Sequence, residues 1–130
     1  MIDKKIITLM VLGLLVLAGV AWVANPDDRH KNLKVLPKDI PDAMLDSIMK
    51  SYTVSLGVDC SFCHSAMKDM PDSLDYAADG NEMKENALKM MRMTIEINKS
   101  NFNYDKTIRP EYLNVITCMI CHRGEAYPLH

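Results

Sequence analysis

The longest apolar stretch of the chain lies at its amino terminus. Residues 6–24 carry no charge, and a helix of this length, with a rise of ~1.5 Å per residue, spans roughly 28 Å, enough for the hydrocarbon core of a bilayer. A cleaved export signal needs a small side chain two positions before its cleavage site, but Trp22 stands there relative to Ala24. The pattern favours a retained membrane anchor over residues 1–25, with a cleaved signal as the alternative.

Charges on either side of this stretch indicate the orientation of the anchor. Lys4 and Lys5 precede it, so the amino terminus should stay in the cytoplasm and the rest of the chain should lie on the far side. Residues 26–34 open with a proline and are rich in charge, which is typical of a linker. We expect a single pass through the cytoplasmic (inner) membrane and a domain over residues 35–130 on the periplasmic, or extracytoplasmic, side.

Two longer segments beyond the linker repeat apolar residues with the helical period of 3.6. The first helix is predicted over about 41–54 and the second over about 82–99. Pro41 suits the entry to the first helix, with Asp39 or a neighbour as its cap, and Gly57 should end it. The predicted apolar stripes are Leu45, Ile48, Met49, Tyr52 and Leu56 in the first helix, and Met83, Ala87, Met90, Thr94 and Ile97 in the second.

The remaining segments predict shorter elements. Residues 60–67 should form a brief helix, and residues 68–81 an acidic surface loop that ends in Asn81, a suitable cap for the second long helix. Pro110 should begin a last short helix that leads into Cys118. No segment alternates apolar and polar residues long enough to predict a strand. The expected fold class is therefore mostly α, with little or no β.

Composition adds two constraints to this pattern. The chain has 130 residues and a formal net charge of −2, which leaves room for one modest domain and provides no basic surface for nucleic acid. Methionine is abundant, with 11 residues. Because the methionine thioether fills cores and can also coordinate a metal, a few of these side chains are candidate metal ligands.

A five-residue pattern, Cys-x-x-Cys-His, occurs twice in the chain. It comprises Cys60, Cys63 and His64 in the first haem motif (residues 60–64), and Cys118, Cys121 and His122 in the second haem motif (residues 118–122). Two thiols one helical turn apart can form thioethers with both vinyl groups of one haem, and the adjacent imidazole can coordinate its iron. The sequence predicts two covalently attached haem c groups, each preceded by a long helix and a connecting segment.

Three other uses of paired cysteines explain less of the sequence. A four-thiolate zinc site usually has a far shorter separation than the 54 residues between Cys63 and Cys118. A thioredoxin-like redox pair belongs to a βαβ pattern, which this sequence lacks. Structural disulfides leave the histidine after each pair as a coincidence. Haem attachment uses all four cysteines and two of the four histidines, and it is preferred for that reason.

The sixth iron ligands are sought among the methionines of the two long helices. Met44 and Met49 precede the first haem motif and lie about 140° apart around the helix, so they cannot both face one iron. Met49 is preferred because it shares the apolar stripe of its helix. On the second helix Met90 and Met93 share a face, whereas Met91 is turned away from Met90 by about 100°. Helical periodicity leaves Met90 and Met93 open for the second haem.

Three stretches of the chain carry a resemblance to a known family. Residues 55–64, 90–98 and 117–124 resemble the cytochrome subunit of photosynthetic reaction centres, and the similarity extends over roughly residues 35–128. That family binds four haems as two pairs. This chain looks like one such pair, as in small dihaem relatives of the family.

The resemblance also implies a set of iron ligands. The family's helix-borne methionine falls on Met49 for the first haem and on Met90 for the second. In the corresponding half of the family, the second haem has two histidine ligands, one of which comes from the other half, and that half is missing here. Met90 occupies a position that can replace this histidine, so we predict His/Met ligation at both irons.

Three arginines are candidates to neutralise haem propionates: Arg92, Arg109 and Arg123. Guanidinium groups pair well with carboxylates. The alternative is ordinary solvated surface charge, which is an equally good explanation of Arg109.

Two six-coordinate haems leave no open position for a small-molecule substrate, so the expected function is electron transfer rather than catalysis. Methionine ligation raises the reduction potential, which suits partners such as a quinol-oxidising complex, a terminal oxidase or a reaction centre. The protein would serve these complexes as a free carrier or as an accessory subunit. The alternative is a haem enzyme, a peroxidase or reductase, with one open iron.

Overall fold

The computed structural model describes Met10 and residues 32–128. In chain order its helices are α1 (Asp42–Leu56), α2 (Glu82–Asn101) and α3 (Cys118–His122). Two 3₁₀ turns, Cys60–Phe62 and Pro110–Tyr112, and two strands, β1 (Ser65–Ala66) and β2 (Leu74–Asp75), complete the described elements. The fold is mostly helical with little strand, as the sequence predicts.

The predicted membrane anchor falls almost entirely outside the described residues. Of the stretch 6–24 only Met10 is described, and the linker over residues 26–34 is described from residue 32 onward. Within the part of the chain that the structure describes, no helix combines the length and the apolar character needed to cross a membrane. The anchor over residues 1–25 and its orientation stay predictions.

The ends of α1 follow from the residues that stand there. Pro41 is the N-cap, with extended backbone and no side-chain cap hydrogen bond. Gly57 ends the helix in the left-handed region, at φ 63°, and its N–H donates to the Thr53 carbonyl. The prediction that Asp39 or a neighbour caps this helix is wrong. The Asp39 carboxylate instead accepts hydrogen bonds from Arg109 at 3.0 and 3.1 Å, which holds it away from the helix start.

The start of α2 is set by a local hydrogen-bonding residue, as predicted. The side chain of Asn81 accepts hydrogen bonds from the backbone N–H groups of Met83 and Lys84 at 2.9 and 3.2 Å. These are two of the helix's first free donors, and Glu82 and Glu85 add negative charge at the same positive end. The predicted start at residue 82 is therefore correct, and the helix continues two residues beyond its predicted end.

The face of α2 that enters the core differs from the predicted stripe. The buried residues of this helix are Lys84, Leu88, Met91 and Asn98, whereas Met90, Met93 and Ile97 of the Met-rich side are exposed. Lys84 and Asn98 can be buried because their polar atoms are hydrogen-bonded to backbone groups. A helical stripe that is predicted from apolar residues alone includes neither Lys84 nor Asn98.

The apolar core is small for a chain of this length. Among the described residues its buried members are Leu36, Ile40, Leu88 and Met91, with residues of α1 such as Met49 and Tyr52 packed against them. Many large apolar side chains of the same part of the chain are exposed instead, including Met44, Met90, Met93, Ile97 and Ile120.

The connections differ in detail from the predicted short helices. Residues 60–67 form a 3₁₀ turn followed by β1 rather than one brief helix, because β1 pairs with β2. This antiparallel hairpin matches Ser65 with Asp75 and Ala66 with Leu74, and it ties down part of the predicted loop 68–81. Pro110 begins only a 3₁₀ turn, which is separate from α3. The hairpin holds the chain just after the first haem motif.

Candidate haem sites

The first haem motif is a tight turn directly after α1. The backbone N–H groups of Cys63 and His64 donate to the Cys60 carbonyl at 3.2 and 3.0 Å, so Cys60 and Cys63 lie one turn apart. Both thiols are free. Burial raises the pKa of the Cys63 thiol above its ordinary value, and the neighbouring Cys60 adds to this effect. The turn presents two free thiols one helical turn apart, as attachment to two vinyl groups requires.

His64 follows this turn in a partly apolar setting. Its Nδ1 atom is buried and has no hydrogen-bond partner among the described residues. Burial lowers the pKa of the imidazole, and the charge of Lys84 lowers it further. The ring also packs edge-to-face on Tyr76, with centroids 5.0 Å apart. A neutral imidazole is the form that coordinates a metal, so this environment favours a ligand role for His64.

The second haem motif is the short helix α3. Arg123 ends it in the left-handed region, at φ 54°, so the chain turns sharply after His122. The His122 Nδ1 lies 3.0 Å from the Glu125 carbonyl oxygen. When Nδ1–H donates to that oxygen, the lone pair of Nε2 is free for a metal, and the bond also holds the ring in one orientation. Cys118 and Cys121 on the same helix are free thiols.

The second haem motif is connected to the helix before the first one, because α3 packs on α1. The Gly124 N–H donates to the Ser55 carbonyl at 2.9 Å. A Cβ atom on Gly57 would lie 2.1 Å from the Gly124 carbonyl oxygen, so only glycine fits there. We call this approach of residues 55–57 to Gly124 the glycine contact. It joins the end of α1, just before Cys60, to the turn just after His122.

A cavity of about 410 Å³ opens beside Cys118, between α1, α2 and the segment that leads into α3. Its lining is partly apolar and partly polar, and it includes Glu111. Among the other lining residues are Met44, Ile48, Ser51, Tyr52, Thr94, Ile95 and Ile116. Burial raises the pKa of the Tyr52 hydroxyl well above its ordinary value, and that of the Cys118 thiol is raised for the same reason. This is a recess of mixed polarity at an attachment residue of the second haem motif.

The methionines predicted as iron ligands lie in different settings. Met49 is half-buried and packs against the apolar core. Met90 is 48 % exposed, one helical turn before Thr94, which lines the cavity and whose hydroxyl lies 3.2 Å from the Met90 carbonyl. Met93 is equally exposed, whereas Met91 is buried in the core. Met44, the less favoured candidate ligand of the first haem, lines the cavity at Cys118 directly.

Asn98 is a site residue to which sequence reasoning gave no role. It is 2 % exposed, and its side-chain amide donates to the carbonyls of Leu113 and Ile116, both at 2.9 Å. Its Oδ1 accepts from the Ile116 N–H at 2.8 Å. These three bonds fix the segment just before Cys118 to α2. In the sequence, Asn98 stands at helical spacing from Met91 and therefore on the same face of the helix, which is the available indication of its burial.

The three arginines have different surroundings. Arg109 pairs with Asp39 at 3.0 Å and lies over the Tyr112 ring at 5.7 Å. Arg109 therefore lowers the pKa of Asp39. Arg92 is exposed on α2, and Arg123 is exposed at the end of α3. Arg109 is already engaged by a carboxylate, so Arg92 and Arg123 are the better placed for an additional anionic group.

The residues present fit a covalently attached haem. Four free thiols occur in two one-turn pairs, His122 is oriented by a backbone carbonyl, and His64 has a buried nitrogen that lacks a partner among the described residues. Within residues 32–128 no cluster of three or more histidine, cysteine, aspartate or glutamate side chains is arranged to hold a bare metal ion. The donor set of each haem motif matches thioether attachment with one axial imidazole.

A comparison with known families agrees with this chemistry. The model of the photosynthetic reaction centre cytochrome c subunit family matches residues 24–130, which include both haem motifs and all described helices. No curated protein and no solved structure matches the chain. Cytochromes c bind haem covalently and transfer electrons. The chain belongs to the photosynthetic reaction centre cytochrome c subunit family.

Proposed function

We propose that this protein is a membrane-anchored dihaem c-type cytochrome that carries electrons between membrane redox complexes. The observation that carries the proposal is the glycine contact, which joins the chain just before the first haem motif to the turn just after the second. Electron tunnelling between cofactors requires them to be close and rigidly held. A backbone contact that joins the two motif segments supports both conditions.

The roles of the motif residues follow from their chemistry. Cys60 and Cys63 would hold the first haem by thioethers with His64 on its iron, and the second haem motif would use Cys118, Cys121 and His122 in the same way. Haem iron supplies a one-electron couple between its ferric and ferrous states. The protein attaches the two groups, orients their imidazole ligands and excludes water with apolar side chains.

The proposed sixth ligands are Met49 for the first haem and Met90 for the second. Met49 lies on α1, on the core side, and Met90 lies on α2 one turn before Thr94, which lines the cavity at Cys118. Met44 is the rival at the second haem, since it lines that cavity itself. Thioether ligation favours ferrous iron, so both couples should have moderately to strongly positive potentials.

Arg92 and Arg123 are the proposed contacts for haem propionates. Both are exposed, and Arg123 directly follows His122. Arg109 is the weaker candidate because Asp39 already binds its guanidinium group.

The proposed location is the cytoplasmic (inner) membrane, with the haem domain on the periplasmic side. The uncharged stretch over residues 6–24, preceded by Lys4 and Lys5, supports this proposal. A tether raises the effective concentration of the haems near membrane partners. Such partners are a quinol-oxidising complex, a terminal oxidase or a reaction centre, served by this chain as a carrier or as a subunit.

The first prediction concerns haem content. Protein purified from a host that attaches haem c should contain two haems per chain in the alkaline pyridine assay, because each haem motif has its own pair of free thiols. Cys118→Ala with Cys121→Ala should reduce the value to one, and Cys60→Ala with Cys63→Ala should do the same. A value of one or none in the unaltered protein would contradict the dihaem proposal.

The second prediction concerns the sixth ligands. The reduced protein should not bind carbon monoxide rapidly, because both irons have six ligands. Met90→Ala should open one iron, so that carbon monoxide binds and one of two sulfur-to-iron near-infrared bands disappears. Met93→Ala, equally exposed on the same helix, is the matched control and should change neither property.

Two other outcomes of this experiment are informative. If Met44→Ala rather than Met90→Ala removes the second band, then Met44 is the ligand and the cavity at Cys118 marks the iron. Rapid carbon monoxide binding by the unaltered protein would support the alternative function, a haem enzyme with one open iron.

A further inference from the structure

Lys84 is a buried cation beside the first haem motif. Its residue is 8 % exposed, although lysine is seldom buried without a partner. The Nζ atom donates to two backbone carbonyls, that of Tyr76 at 3.1 Å and that of Ala78 at 2.5 Å. Both acceptors are neutral, so these bonds orient the ammonium group without cancelling its charge.

The carbonyl that Lys84 holds belongs to the residue that contacts His64. The Tyr76 ring packs edge-to-face on the His64 imidazole, with centroids 5.0 Å apart. Lys84, Tyr76 and His64 thus form a continuous set of contacts from α2 to the first haem motif. Movement of Lys84 would release the Tyr76 segment and with it one wall of the His64 site.

The acidic groups near Lys84 have other hydrogen-bonding partners, and Asp79 also interacts electrostatically with Lys84. Asp79 pairs with Lys34 at 2.7 Å and accepts a hydrogen bond from Asn32 at 3.0 Å. Asp75 accepts hydrogen bonds from the backbone N–H groups of Ala77 and Ala78. The charge of Lys84 lowers the pKa of His64 by more than the charge of Asp75 raises that pKa. Of these two opposing charges, that of Lys84 therefore dominates at His64.

A fixed positive charge near a haem iron disfavours the ferric state, which carries one positive charge more than the ferrous state. In a partly buried site the interaction is stronger than in water because the effective dielectric constant is lower. Hydrogen bonds and charges around an axial histidine are known means of setting the potential of a metal centre.

We propose that Lys84 is a positioning residue of the first haem, which raises its reduction potential through a buried charge and holds Tyr76 against His64. This inference rests on the proposed function, since it requires a haem at Cys60 and Cys63. It makes the two haems unequal, with the first one tuned from α2 and the second one untouched by Lys84.

The test is a redox titration of the full holoprotein and its variants. Lys84→Gln keeps a donor for the two carbonyls and removes the charge, and Lys84→Arg keeps the charge. Lys89→Met removes a charge from an exposed position of the same helix and is the matched control. The potential wave that Met49→Ala displaces identifies the first haem, and the pyridine assay establishes that two haems are present in each variant.

The proposal expects Lys84→Gln to lower the potential of the first haem alone, Lys84→Arg to restore it and Lys89→Met to leave both potentials unchanged. Unchanged potentials in Lys84→Gln, or an equal shift of both waves, would overturn the proposal for Lys84. If each variant still contains two haems per chain, the proposed dihaem function is unaffected by that result. Absence of haem from the unaltered protein would refute the proposed function instead. If Lys84→Gln fails to fold, Lys84→Arg decides, because loss of the native first-haem potential with charge retained would overturn the electrostatic role.

Discussion

Replacing Gly57 by alanine should destabilise the protein by about 3 kcal/mol, enough to lower the yield of folded holoprotein. The new Cβ would lie 2.1 Å from the Gly124 carbonyl oxygen, a backbone atom that cannot rotate away. Overpacking of this kind typically costs about 1–3 kcal/mol, and the left-handed φ of 63° adds about 1 kcal/mol for a residue with a side chain. Denaturant unfolding of the holoprotein, followed by circular dichroism, measures the change.

Gly124→Ala and Gly80→Ala are the controls for backbone strain. Both glycines have positive φ, 90° and 93°, but a Cβ at either position meets no atom within 4 Å. These variants therefore include conformational strain without a collision. Gly57→Ala should be the most destabilised of the three although its φ is the mildest. Equal losses in all three variants would show that the close approach at the glycine contact adds nothing to stability.

Features set by local chemistry were predictable from the sequence. Gly57 ends α1 and Asn81 caps α2 because each acts on backbone groups within four residues of itself. The haem motifs were equally visible, since the spacing of Cys60 and Cys63 defines both the turn and its chemistry. The groups that interact in such features are close neighbours in the sequence, so the sequence alone is enough to predict them.

Features that depend on distant contacts were not predictable. The sequence pairs each haem motif with the helix before it, whereas α3 packs on α1, through the contact of Gly57 with Gly124. No residue near Gly57 or Gly124 in the sequence indicates that these two glycines are in contact. The sequence likewise predicts a helix-capping role for Asp39, whereas its carboxylate binds Arg109, 70 residues away.

The face of α2 shows why an apolar pattern can mislead in a small cytochrome. Apolarity selects the stripe with Met90 and Ile97, which the structure leaves exposed. The core side contains two polar residues, Lys84 and Asn98, which backbone carbonyls satisfy. In a protein with a large apolar cofactor, the most apolar face of a helix has two competing uses, and periodicity alone does not distinguish the cofactor from the core.

Asn98→Ala should cost about 3 kcal/mol and loosen the second haem motif. The substitution removes three hydrogen bonds, two to the carbonyls of Leu113 and Ile116 and one from the Ile116 N–H. Each buried backbone group left without a partner typically costs about 1–3 kcal/mol, and water entering the space offsets part of the sum. The chain before Cys118 would lose its attachment to α2, so the haem content should fall from two toward one while the first haem remains.

Asn101→Ala provides the matched control for this experiment. The side-chain amide of Asn101 also donates a hydrogen bond to a backbone carbonyl, that of Ile97, at 2.9 Å. Unlike Asn98, however, Asn101 is exposed at the end of α2. Its loss should change the free energy of unfolding by less than about 0.5 kcal/mol and leave both haems attached. If Asn98→Ala were no less stable than Asn101→Ala and kept two haems, then Cys118 would be positioned by the packing of α3 on α1 alone. The glycine contact would in that case suffice to hold the second haem motif, and the two substitutions together separate these two ways of placing it.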